Sequence, residues 1–193
     1  MSNPLSHHLF TMACNNAWAN HRLLKACAAL SQDDFVATRT SFFPSIKATL
    51  NHTLTVDWFY VDALEREWRG EPPLADCYRF FAVNEPFEIC ADLQREQAAV
   101  DRRLLAYCKA QRDADLDRMV TIARPGAAQH DTRTRLLAHL FQHQIHHRGQ
   151  VHAMLAGTPV EPPQLDEFFC AGEAALRAED FTELGWQESE IWS

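Results

Sequence analysis

The chain is poor in several things at once, and each shortage excludes a class. Glycine is scarce, 6 in 193 residues, which rules out collagen-like and low-complexity architectures. No run of about 20 consecutive apolar residues occurs, so no membrane-spanning helix is expected. After Met1 the apolar residues are interrupted by Asn15, Asn16, Asn20, His21, Arg22 and Lys25. That is no signal peptide, and a cytoplasmic location is the expectation. Basic charge is in deficit, 18 Lys+Arg against 26 Asp+Glu, giving a formal net charge of −8. Such a surface, without a basic cluster, offers phosphate backbones little, and nucleic acid is disfavoured as a partner. The six cysteines (Cys14, Cys27, Cys77, Cys90, Cys108 and Cys170) are scattered and never form CxxC. This excludes a thiolate zinc motif and fits reduced, mostly buried side chains. GxGxxG, a Walker loop and a GxSxG elbow are also missing.

What is present is a chain 47% hydrophobic, of a length that suits one domain over residues 1–193. Apolar residues return at three- and four-residue spacing in four long segments. The first covers about 4–30 and carries Leu9, Met12, Ala13, Leu23, Leu24 and Cys27. The second starts near Ser45, after Pro44, and stops at about Arg69, before Gly70 and Pro72-Pro73. The third covers about 86–112 and is rich in good helix formers. The fourth runs from about Asp131 to Ala156, ahead of Gly157 and Pro159. A short extended piece is read at Met119 to Ile122, and a short closing helix at Ala171 to Leu184. The fold class is therefore all-α, a four-helix bundle with a short extra C-terminal helix. Long connections leave room for a crossover, so the topology stays open. The acidic stretch from Glu173 to Glu190 reads as a solvated face.

The unusual count is histidine, 10 in all, six of them from His130 to His152. On a helix, residues four apart share a face, so His143 and His147 point the same way. Leu136, Leu140, Val151 and Met154 lie on that face, which should therefore look into the bundle. His139 and His146 flank it, and His152 lies opposite. An i, i+4 pair of imidazoles can chelate one ion, and a third ligand must come from another helix. His52 is the best candidate, because its face also carries Ala48, Val56, Phe59 and Ala63. His7, His8, His21 and His130 read as surface residues. His143 to His147 is HQIHH, not HExxH, so the general base of the zincins is missing. No Glu-x-x-His occurs, which removes the ferritin-like di-iron signature.

These residues carry a resemblance. The segment from Ser45 to His52 with Asp57, the run HQIHHRGQVHAML from His143 to Leu155, and Pro162-Pro163-Gln164-Leu165-Asp166 together resemble the DinB-like family of bacterial metal-binding four-helix bundles. The match covers nearly the whole chain in order. The resemblance implies a triad of His52, His143 and His147 holding zinc or nickel, and a tendency to form homodimers. It is also similar to S-transferases and isomerases that use low-molecular-weight thiols.

Two functions of different class follow. In one, a divalent ion keeps a small thiol as thiolate and presents it to a small electrophile, with a metal-dependent hydrolase as its variant. In the other, the protein binds metal or ligands without catalysis. Three neutral imidazoles leave the ion's charge uncompensated, which favours an anionic fourth ligand. Gln150, one turn past His147, is a candidate contact behind the ligands, as is His139. The acidic chain does not itself recruit anionic thiols, so a local cation such as Arg148 is the expected contributor.

Overall fold

The structure, a computed structural model, describes residues 4–192. Four long helices dominate it: α1 (Leu5–Cys27), α3 (Ile46–Arg69), α4 (Cys90–Lys109) and α5 (Arg133–Leu155), with a short α2 (Gln32–Val36) after α1. Each follows the expected segment with ends trimmed by a few residues. None of these helices is long and apolar enough to cross a membrane.

The boundaries have local causes. Ser45 Oγ accepts the Ala48 N–H at 3.0 Å and opens α3. Gly70 closes it in the left-handed region, φ +70°, where a side chain would be strained. Thr132 Oγ1 accepts the Arg135 N–H at 3.3 Å and opens α5. The expected start of that helix at Asp131 is corrected. Residues Gln129–Thr132 form a strand, β2, which pairs antiparallel with β1 (Met119–Ile122) from Met119↔Thr132 to Ile122↔Gln129. Val120 and Ile122 turn their side chains into the core, so the hairpin is held by burial as well as by its ladder.

Packing sets the topology. α1 lies against α4 and α5, and α3 lies against the same two helices. α1 and α3 therefore sit across one diagonal of the bundle, α4 and α5 across the other. Two of the three long connections, α1 to α3 and α4 to α5, cross over. Between them Leu23, Leu54, Leu64, Leu93, Leu104, Leu137, Leu140 and Val151 fill the core at 1% exposure or less.

The C-terminal region differs from the expectation. Ala171 to Leu184 is not one helix: residues Ala171–Arg177 are a 3₁₀ turn, followed by α6 (Ala178–Leu184) and then α7 (Glu188–Trp192). Nor is its acidic stretch merely solvated. Asp180 is buried, accepting from Trp18 Nε1 at 3.0 Å and Arg22 Nε at 2.7 Å. Glu188 pairs with the buried Arg177 at 2.7 Å. Trp18, Phe168, Phe181 and Ile191 form a small second core beneath these pairs.

Candidate metal centre

The centre lies where α3 faces α5. Asn51 is fully buried, and its side-chain amide donates to Phe87 O and accepts from the Phe87 N–H, both at 2.9 Å. With Asn51 tied to that loop, the next residue, His52, is turned about 100° round the helix toward α5. On α5, His143 and His147 stack one turn apart with ring centroids 4.4 Å from each other. His52 Nε2 lies 3.0 Å from His143 Nε2, and one nitrogen from each of the three rings lies within 4.8 Å of the other two.

Electrostatics keep these rings neutral. Burial pushes the His52 imidazole down to about 4, with neighbouring His147 adding to the effect. Burial pushes His143 down to about 3, reinforced by His147, His52, His139 and His146. His147 is lowered by burial too, against the opposing bond to Gln150. At neutral pH all three offer lone pairs rather than positive charge. Gln150 Oε1 accepts the Nδ1–H of His147 at 2.8 Å, while the Gln150 amide donates to His146 Nε2 at 3.1 Å. This fixes the tautomer of His147 and leaves its Nε2 free to ligate. His143 Nδ1 is buried with no hydrogen-bond partner among the described residues. The cluster is rich in acceptors and short of donors, the condition a divalent cation satisfies. The donor set thus fits a metal ion.

An aromatic cover lies over it. Phe43 stacks on His52 at 4.3 Å and on His147 at 5.5 Å, and Phe42 packs edge-on to Phe43 at 4.9 Å. The sequence reading missed both. Their signal was two adjacent aromatic residues, Phe42-Phe43, directly before Pro44 and the α3 cap.

Behind the rings, on the inner side of the same helices, is a second polar cluster. Gln97 Nε2 donates to Asp57 at 2.7 Å and to Asp101 at 3.2 Å. Asn20 donates to Asp101 at 3.1 Å, and Arg148 donates to the side-chain oxygens of Asn16 and Asn20. The Gln144 amide donates to Thr53 O at 3.4 Å. Burial raises both carboxyls well above their usual range, and it lowers Arg148 to about 10, where it remains charged at neutral pH. Arg148 is therefore corrected. It is 6% exposed, is engaged by this inner cluster, and does not serve the outer site.

The remaining candidates divide as follows. His139 is exposed, its ring 6.2 Å from that of His143 and 5.2 Å from Tyr60, so it flanks the triad without joining it. His146 is exposed beside Gln150, and His152 meets Pro163 O at 3.1 Å. His8 and His130 are exposed and His7 is half-buried. His21 is half-buried and bonds Glu183 at 2.7 Å. With Asp180 and Glu183 it forms another group of ligating type, but those acids already hold Arg22, Trp18 and Lys25. The cysteines are free, four of the six buried, with Cys90 half-buried and Cys170 exposed.

Comparison with known proteins bears on the fold and the family. Among solved structures, the crystal structure of a DinB-like protein from Bacillus cereus ATCC 10987 superimposes with a TM-score of 0.55. It is 14% identical, over 76% of this chain and 90% of that one, a likeness of fold alone. No functionally curated protein matches the sequence. The DinB family model matches residues 1–180, the span that contains all four long helices and the three converging histidines. The chain belongs to the DinB family.

Proposed function

We propose that His52, His143 and His147 hold a divalent ion, zinc or nickel, and that the loaded protein joins a small thiol to a small electrophile. The observation that carries this reading is the composition of the site: three neutral nitrogens and no carboxylate within the group. When bound, the ion would supply uncompensated positive charge that draws an anion, thiolate above all, into its remaining position. The protein's residues do the rest. Gln150 orients His147, Phe43 keeps water from the two rings it covers, and the half-buried site lets the thiol proton leave to solvent. The sulfur lone pair then forms the new S–C bond as the electrophile's leaving group departs with its electrons. Nothing in this sequence needs a side-chain base, and the nearest buried carboxyls, Asp57 and Asp101, are tied up in the inner cluster.

The test is titration of cobalt-substituted protein with small thiols, read by the sulfur-to-metal charge-transfer band. A band that saturates at one thiol per chain supports the reading. Spectral response to hydroxide or acetate but to no thiol transfers support to the hydrolase or ligand-binding alternative. The homodimer and the cytoplasmic setting belong to the same proposal, the former checked by sedimentation equilibrium.

A further inference from the structure

Arg39 is a half-buried cation whose hydrogen-bond partners are all neutral. Its Nη1 donates to Asp34 O at 2.7 Å and Ala37 O at 3.0 Å, and its own backbone N–H donates to Pro44 O at 2.8 Å. The guanidinium is thus anchored by carbonyls, which hold its position without cancelling its charge. Nη2 forms a loose ion pair with the Asp34 carboxylate, 3.8 Å from Oδ1 and beyond hydrogen-bond reach, and neither Nη2 nor Nε makes a hydrogen bond with the described residues. The side chain is 16% exposed. It lines a cleft of about 480 Å³ between the 39–42 loop and the last third of α5, bounded by Thr40, Ser41, Phe42, Gln150 and Met154. Gln150 is the residue that holds His147, and Phe42 rests on the Phe43 that covers His52 and His147, so the cleft adjoins the centre.

Phe42 is the second oddity. It is 81% exposed, more than any other large apolar side chain described, although it stands at the mouth of a cleft. An aromatic ring held out in water beside a fixed guanidinium and two hydroxyl side chains is suited to cover something organic.

We propose that this cleft binds the body of a bifunctional anion. Its head group occupies the histidine centre, its second acid group, a carboxylate, meets Nη2 and Nε of Arg39, and Phe42 closes over the chain between them. Two positive points within an otherwise acidic protein select a ligand with two negative ends. Arg39 is then the local cation that a −8 chain needs in order to recruit an anionic thiol. The head-group assignment rests on the thiol reading above; the Arg39 subsite does not.

The experiment measures binding to the zinc-loaded protein by calorimetry, with mercaptopropionate, mercaptoethanol and succinate as probes and zinc content measured in parallel. Mercaptopropionate is expected to bind about tenfold or more tighter than mercaptoethanol, the scale of one charge-assisted hydrogen-bonded pair. Arg39→Met should erase that preference, Arg39→Lys should restore part of it, and Phe42→Ala should weaken mercaptopropionate by about three- to tenfold. Zinc content and mercaptoethanol affinity report that the variants are folded. Equal affinities for the two thiols in the native protein, or a preference that survives Arg39→Met, overturn the subsite. If no thiol binds but succinate does, in an Arg39-dependent way, the thiol reading falls and the subsite stands. If none of the probes binds, the subsite falls.

Discussion

Helices α3 and α5 each build two polar clusters a fraction of a turn apart, and the two are opposites. The inner one, with Asp57, Asp101, Gln97, Asn16, Asn20, Gln144 and Arg148, is charged, buried and closely hydrogen-bonded across all four long helices. The outer one, with His52, His143 and His147, is neutral, half-open and short of donors. Adjacent residues fall into different clusters: Gln144 is inner and His143 outer, Arg148 inner and His147 outer. Buried charge with nearly all its partners in place fixes how helices meet, because each group would be expensive to leave unpaired. Three converging imidazoles, one with a buried nitrogen that has no hydrogen-bond partner, add little to the stability of the bundle and are a group that could hold a metal ion. Asp57 Oδ1 is the one inner atom that shares this lack of a partner.

That contrast can be broken from either side. The largest effect should come from the inner cluster. Arg148→Met leaves two buried carboxyls and two asparagines without their cation, and should lower unfolding stability by about 3–5 kcal/mol in urea titrations. A loss under about 1 kcal/mol would mean that the cluster is not holding the bundle. The outer cluster should behave the other way. His52→Ala, His143→Ala and His147→Ala should each abolish stoichiometric metal binding by elemental analysis, while apoprotein stability shifts by no more than about 1 kcal/mol. If metal content survives two of the three, the triad is misassigned.

Acid sharpens the comparison. His52 and His143 are held near 4 and 3 by burial, below their ordinary 6.5, so they bind no proton at neutral pH in the folded chain. Unfolded, they would take up protons from about 6.5 downward, so their contribution to stability falls as pH drops from there toward 4. Metal should stay bound as pH falls below 6.5 and leave only in more acid solution, followed by dialysis and metal analysis. Release already complete near 6.5 would show that the rings titrate as free histidines.

A smaller effect is expected one contact out. Gln150→Ala frees the His147 ring and should weaken metal affinity by about 10- to 100-fold, measured by competition with a chelator, with little change in unfolding. The smallest is a null: His139→Ala and His152→Ala should leave metal content unchanged, and a loss in either would enlarge the site beyond the triad.

The sequence by itself determined the four long helices, because their apolar spacing, the Ser45 cap and the Gly70 stop are local properties of a helix. It also determined that His143 and His147 share a face, since four residues are about one turn, and it pointed to His52 as the third member. The β1 strand was legible, but its partner was not. Asp131 and Thr132 read as helix, and only the pairing with Val120 and Met119 makes them a strand. Tertiary structure alone decided the crossed topology, the clasp of the C-terminal segment on Trp18 and Arg22, and the direction of Arg148. The physical reason is the same in each case. Periodicity tells which residues share a face, but whether that face meets water, a carboxylate or another imidazole depends on residues far along the chain. Arg148 next to His147 looked like part of the site until Asn16 and Asn20, on a helix more than a hundred residues away, supplied its partners.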